Sequence, residues 1–344
     1  MRCAKRILVV ALLTGLVTLG VYLVLSSREP TYQGKRVDRW LDGLAETLQQ
    51  VQASPTKTRD PKLRDGARTA LMAIGPKAIP YIVRRLKQTE SPWHHKYREA
   101  YPEWPAWVKK ILPQPEPELA DYEGGQAFLY IGPSVEPQLV PLLDNDSVTV
   151  RTAAAFALGS LTHYDKTDIR NALAGLSKTA GDADPELRFM SAEALGNIGP
   201  DAASAVGVLT RGLKGSEQGN AGRRAYVRAA MARALGKIGP KSKEALPTLR
   251  EFMTDSDLYL RVVSAVAVWR IDGDVTNTLP VLEEGLDKVN SNSAWEVLEG
   301  IAEMGPRAKE AAPVLTNFLD KGTFGNGDKV AEALKKINSE ATNK

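Results

Sequence analysis

Apolar residues recur along most of this chain at intervals of three and four, the period of a helix with one buried face. Val37, Trp40, Leu41, Leu44, Leu48 and Val51 hold that spacing and predict an amphipathic helix over 37–52. Before it, residues 28–36 read as a short exposed linker. After it, residues 53–60 form a polar loop. From residue 60 the helical period returns in punctuated form. Ala234-Leu235-Gly236-Lys237-Ile238-Gly239-Pro240 ends one apolar run and opens another. Ala194 to Pro200 and Ala70 to Pro76 are close copies of it.

The last apolar residues of these signatures are Ile74, Ile131, Leu161, Ile198, Ile238, Ile271, Met304 and Ile337. The steps between them are 57, 30, 37, 40, 33, 33 and 33 residues. A unit of 33–40 residues holds two helices and two turns, an αα-hairpin that stacks on its neighbours. An arginine stands seven residues before the Leu or Val of five signatures: Arg64, Arg151, Arg188, Arg228 and Arg261. Each turn carries its own chemistry. The signature glycine suits a helix end, the following proline cannot continue that helix, and a preceding Asp-Pro suits a helix start. Further prolines (Pro80, Pro137, Pro247, Pro280 and Pro313) fit the first turn of the second helix.

The unit Asp-x(3–4)-Arg-x(6)-Leu-x-x-Ile-Gly-Pro, followed by a Pro-Leu helix, resembles the short bacterial form of the HEAT repeat over residues 60–340. The Thr-Pro-Leu-His signature of ankyrin is absent, and so are the spacings of tetratricopeptide repeats. Tyr32 to Leu41 also resembles the segment after the signal or anchor in exported bacterial HEAT-repeat proteins. The resemblance implies an all-α solenoid, a right-handed superhelix of about seven hairpins behind an N-terminal transmembrane helix. It also implies that the five arginines hydrogen-bond turn aspartates and neighbouring carbonyls as a ladder, and that the signature helices line the inner surface.

The copies disagree in three places. The 57-residue step contains an insertion at about 88–122, with Trp93, Trp104, Trp107, six prolines and His94-His95. Residues 258–290 replace Gly-Pro with Asp272-Gly273 and put Trp269 where other copies have glycine. Val330 to Ile337 is a half repeat that caps the array with a polar face, and residues 338–344 are expected to fray.

The first residues differ from all of this. Arg2, Lys5 and Arg6 precede Ile7 to Leu25, nineteen residues without a charge. As a helix that run spans roughly the 30 Å of a bilayer core. A cleaved signal peptide and an uncleaved anchor both fit. The length of the run and the lack of an Ala-x-Ala site favour the anchor. Both readings put the remaining chain outside the cytoplasm, because the basic residues stay inside. The expected arrangement is a signal-anchor over 1–27, linker and capping helix over 28–59, and repeats over 60–344. The repeat domain would be periplasmic or extracellular on a single-pass anchor, or secreted if the segment is cleaved. Cys3 is the sole cysteine and lies before the apolar run, which excludes a lipobox, an internal disulfide and a thiolate metal site.

Composition adds two points. Aromatics are 6% against 43% hydrophobic, so Ala and Leu carry the apolar content, which favours packed helices over sheets. The net charge is +4, and removing Arg2, Lys5 and Arg6 leaves 42 basic against 41 acidic side chains. A nearly neutral domain is a poor nucleic-acid binder, since that affinity comes from phosphate neutralisation.

Candidate chemistry is sparse. The pairs Asp144/Asp146, Asp182/Asp184, Asp255/Asp257 and Asp272/Asp274 lack the third ligand, glycine and distant glutamate of a calcium loop. They read as turns whose second aspartate caps the next helix. No glutamate follows His94, His95 or His163, so the His-Glu pairs of iron-dependent HEAT-repeat hydroxylases are missing. No nucleophile elbow or phosphate loop is present. A basic run from Arg223 to Lys243 contains Arg233 and Lys237 four residues apart on one helix face, and Arg270 follows one repeat later. The expectation is a non-enzymatic scaffold without cofactor or metal. It would bind a protein through Trp93, Trp104 and Trp107, or through the face of Arg233, Lys237, Trp269 and Arg270. The alternatives are an enzyme-associated module similar to HEAT-like bilin lyases, against which export argues, and a weak polyanion-binding solenoid.

Overall fold

A computed structural model describes residues 29–53, 61–111, 120–165, 167–215, 221–288, 291–320 and 326–339. The apolar run 7–25 lies outside the described residues. Among those described, no helix is long and apolar enough to cross a membrane. The described residues are helical apart from one small hairpin, and they divide into two compact units, one up to Val135 and one from Glu136.

In the first unit, the expected linker is instead partly a β-hairpin, β1 (Thr31–Tyr32) against β2 (Lys35–Arg36), with Thr31 opposite Arg36. Gln33 and Gly34 both take positive φ, at 49° and 74°, the geometry that a two-residue hairpin turn requires. The hairpin leads into α1 (Val37–Ala53), the amphipathic helix predicted from the spacing. Its Val37 and Leu41 are fully buried, packed with α2 (Pro61–Ile74), α3 (Ile79–Thr89) and α6 (Asp121–Ile131). Arg85 on α3 is 1% exposed and donates to Asp42 of α1 at 2.9 Å, so the buried charge has a carboxylate partner. The described part of the insertion carries two helices, α4 (Pro92–Ala100) and α5 (Ala106–Ile111). Pro92 stands at the first position of α4, where a missing N–H costs nothing, and Pro102 and Pro105 punctuate the chain between the two helices.

In the second unit a short helix, α7 (Glu136–Leu139), precedes five hairpins. Long helices α8 (Val148–Asp165), α10 (Pro185–Ile198), α12 (Ala221–Ile238), α14 (Leu258–Asp272) and α16 (Ser291–Met304) form one layer. The intervening helices α9 (Leu173–Thr179), α11 (Val206–Lys214), α13 (Leu246–Phe252), α15 (Val275–Lys288) and α17 (Ala312–Asp320), shorter except for α15, form the other. Helix α18 (Gly327–Ile337) packs on α16 and α17 and ends the stack. The long helices pack in sequence order, their Ala and Leu side chains almost wholly buried.

Two signature glycines have separate jobs. Gly239 ends α12 at φ 75°, and a turn of 3-10 helix then leads into α13. Gly236 lies inside α12, where an added Cβ would sit 2.8 Å from Cα of Ala267 on α14. The small residue is what lets successive long helices approach closely. In α14 Trp269 occupies the equivalent place. The approach to α16 is made instead by Gly300, whose missing Cβ leaves room for Val266. Gly273 supplies the positive φ of that copy, 76°, one residue later than elsewhere. Pro280 does not open its helix as expected but lies within α15, which here begins at Val275.

Candidate functional site

The aspartate pairs resolve as turns. Asp182 accepts from the N–H of Asp184 at 3.0 Å, and Asp184 caps α10 through the Leu187 N–H at 2.9 Å. Asp255 and Asp257 repeat this at 2.8 Å and 2.9 Å. The first pair departs from the expectation: Ser147, not Asp146, caps α8 through the Val150 N–H at 3.2 Å. Among the described residues no group of His, Cys, Asp and Glu is placed to hold a metal ion.

The arginines reach back to the loop before their own helix. Arg151 donates to the carbonyl of Asn145 at 2.9 Å, Arg188 to that of Asp182 at 3.1 Å, Arg228 to that of Gly215 at 2.9 Å and Arg261 to that of Asp255 at 2.7 Å. Arg151 and Arg261 also bind a carboxylate further along, Asp182 and Glu284, both at 3.0 Å. Arg64 is different. It is half exposed and lies 3.9 Å from the neighbouring Asp65.

The exposed stripe of the long helices gathers most of the remaining candidates. Residues four apart share this stripe: Glu193 and Asn197 on α10, Arg233 and Lys237 on α12, Glu299 and Glu303 on α16. At its centre the Arg233 guanidinium donates to both oxygens of Glu296 at 3.1 and 3.2 Å, to Glu193 and to the Tyr259 hydroxyl. The Arg233 and Glu296 side chains are 13% and 4% exposed, so neither is a solvated charge. Burial pushes the Arg233 guanidinium down, but Glu193 and Glu296 outweigh it and hold its pKa above the ordinary value. Lys237 donates to Asn197 at 3.0 Å, and Asn197 in turn to the Gly159 carbonyl at 3.0 Å. Burial lowers the Lys237 pKa, with Arg233 and Arg270 adding to it against the pull of the glutamates. Arg270 holds Glu303 at 2.7 and 2.8 Å and Glu299 at 3.3 Å. Trp269 lies beneath Arg307, 5.4 Å from ring centre to guanidinium.

This corrects the basic face. Arg233, Lys237 and Arg270 are three cations among four carboxylates, Glu193, Glu296, Glu299 and Glu303, so the cluster is closed upon itself and slightly acidic. Around it stand aromatic rings. Tyr226 stacks on Phe189 at 4.1 Å and is 47% exposed, and Trp295 is 43% exposed. The repeat alignment does pair Glu193 with Arg233, since both stand two residues before the signature leucine. Glu296 stands at another register and reaches Arg233 past α14.

A second surface is the insertion. Trp93 stacks on Tyr97 at 5.4 Å, and Tyr97 meets Trp104 edge-on at 5.2 Å. Tyr101 joins Trp104 at 5.7 Å, and Lys109 sits over Tyr101 and donates to the Pro102 carbonyl at 2.7 Å. Trp104 is half-buried within this cluster, whereas Trp93 and Trp107 are 69% and 67% exposed. A polar groove of about 380 Å³ lies between the ends of α8 and α10. Arg170 bridges Asp168 and Asp201 there, and its hydrogen bonds hold the Asp168 carboxyl at about 2.

A model of HEAT repeats matches residues 136–221 and 220–292. No curated protein matches the chain. Solved structures resemble it at low identity. An engineered protein is 21% identical over 59% of this chain and 96% of its own, with a TM-score of 0.41. The complex of CpcE and CpcF of phycocyanin lyase from Nostoc sp. PCC7120 is 20% identical over 68% and 98%, with a TM-score of 0.46. Human deoxyhypusine hydroxylase is 18% identical over 88% and 98%, with a TM-score of 0.31.

Proposed function

We propose that this chain, whose residues 136–292 are HEAT repeats, is a non-enzymatic scaffold that binds a protein partner outside the cytoplasm and is held at the membrane by residues 7–25. The repeats would form a right-handed superhelix of about seven hairpins behind that anchor. The supporting observation is the exposed stripe of α10 to α16. Tyr226 and Trp295 stand half out of the surface around ion pairs that already neutralise one another. Exposed aromatics beside fixed charges are the chemistry of protein contacts, because a large rigid ring gains area at little entropic cost.

The test is site-specific photocrosslinking in whole cells. A photoreactive residue at Trp295 is expected to capture one protein, and the same residue at exposed Lys309, on the turn before α17, is not. Tyr226→Ala with Trp295→Ala is expected to weaken that complex roughly tenfold or more, at about 1 kcal/mol or more per ring. Equal capture from both positions would discard the stripe as the contact. Recovery of the chain in the soluble cytoplasmic fraction would discard the anchor.

A further inference from the structure

We propose that the aromatic insertion, α4 and α5, lies on the membrane, its Trp93 and Trp107 rings seated among the headgroups of an anionic bilayer. The proposal rests on the anchor reading above. Its first support is position. Glu29 follows Leu25, the last residue of the apolar run, by four residues, a reach of at most about 14 Å. Glu29 accepts from the Asp38 N–H at 2.9 Å, and Asp38 is paired with Arg84 on α3. Five residues after Arg84, α3 ends at Thr89, and α4 starts at Pro92. Taken in succession, these contacts put the start of the insertion within about 30 Å of Glu29. A segment tethered so closely must either face the lipid surface or be held away from it.

Its second support is chemistry. Trp and Tyr concentrate at membrane interfaces, where the ring meets the acyl boundary and the N–H or O–H meets water. Four aromatics here form a continuous cluster, Trp93, Tyr97, Tyr101 and Trp104, with Trp93 and Trp107 projecting from the protein. Residues 92–111 carry Lys96, Arg98, Lys109 and Lys110 against Glu99 and Glu103, a local excess of two positive charges in a domain that is otherwise neutral. Basic residues beside interfacial aromatics match anionic headgroups.

The full chain reconstituted into vesicles of phosphatidylethanolamine and phosphatidylglycerol tests this with brominated acyl chains, which quench tryptophan on contact. Residues 7–25 contain no tryptophan, so the anchor itself is silent. Two of the six tryptophans are in question, so quenching of up to about a third of the emission is expected. Trp93→Phe with Trp107→Phe is expected to abolish most of it, and Trp269→Phe with Trp295→Phe to leave it. Replacing phosphatidylglycerol by a neutral lipid is expected to lower the quenching at least twofold. The conservative phenylalanines keep the helices, which circular dichroism confirms. A chain that floats with the vesicles but is quenched equally in the Trp93→Phe, Trp107→Phe variant overturns the proposal and leaves the anchor intact. So does a protein, rather than lipid, crosslinked at position 93. A chain that does not float refutes the anchor and this proposal together.

Discussion

Arg233 carries most of the second unit's electrostatic risk. Its guanidinium is the shared partner of Glu193, Glu296 and Tyr259, and Glu296 is almost wholly buried. Removing one partner of a buried pair leaves an uncompensated charge, while removing both with apolar residues of similar size does not. Arg233→Met is therefore expected to destabilise the second unit by about 3–5 kcal/mol, and Arg233→Met with Glu296→Met by clearly less, measured by urea unfolding. A second buried carboxyl gives a pH signature. Glu136 is 6% exposed, and its Oε1 has no hydrogen-bond partner among the described residues. Burial, with the charge of Asp168, raises its pKa. In the folded chain this carboxyl keeps its proton to higher pH than in the unfolded chain. Its stabilising contribution is present below the ordinary carboxylate value and is lost as pH rises through the raised one. Glu136→Gln is expected to flatten that decline in thermal-unfolding scans across the acid range. Arg233 was legible as a candidate because it stands in a basic run, four residues before Lys237 on one helix face. Glu296 was not, because no fixed offset links residues on helices two apart in the layer.

At the scale of the element, the sequence fixes where each helix stops more firmly than where it starts. Six of the eight signatures end in a glycine, and each of those takes positive φ in the structure, even Gly273, where the motif is displaced by one residue. Starts were less legible because several side chains cap equally well, so Ser147 took the place assigned to Asp146. The helices of the insertion were hidden by their prolines, which sit in first turns and between elements, where they break nothing. The interior glycines test the packing. Gly236→Ala places a methyl against the α14 backbone and is expected to cost about 1–3 kcal/mol. Gly207→Ala on α11 meets only side-chain tips, at 3.6 Å and beyond. There the gain in helix propensity, up to about 1 kcal/mol, is expected to dominate. Chemical unfolding of the two variants should shift in opposite directions. A loss at both would mean that the long helices are no more tightly packed than the short ones.

Across the second unit, no single core joins distant helices. Each long helix packs mainly on the one before and the one after, through close-packed Ala, Gly and Leu. In such an array stability is a sum of repeat terms and neighbour interfaces, so damage should spread by distance along the stack. The Arg233 cluster modifies this. It joins α10, α12, α14 and α16 through one guanidinium, whose bond to Glu296 skips a neighbour, and should couple these four more tightly than packing alone does. Native-state hydrogen exchange reads the difference. Arg233→Met is expected to raise exchange most in α10, α12, α14 and α16 together, less in α8 and α18, and not at all in α2 and α3 of the first unit. Exchange that rose evenly from α8 to α18 would make the second unit one cooperative block. A rise confined to α12 would make the cluster a local ornament of one repeat. The expected pattern lies between these, because the ion pairs span four helices while the close glycine contacts span only two.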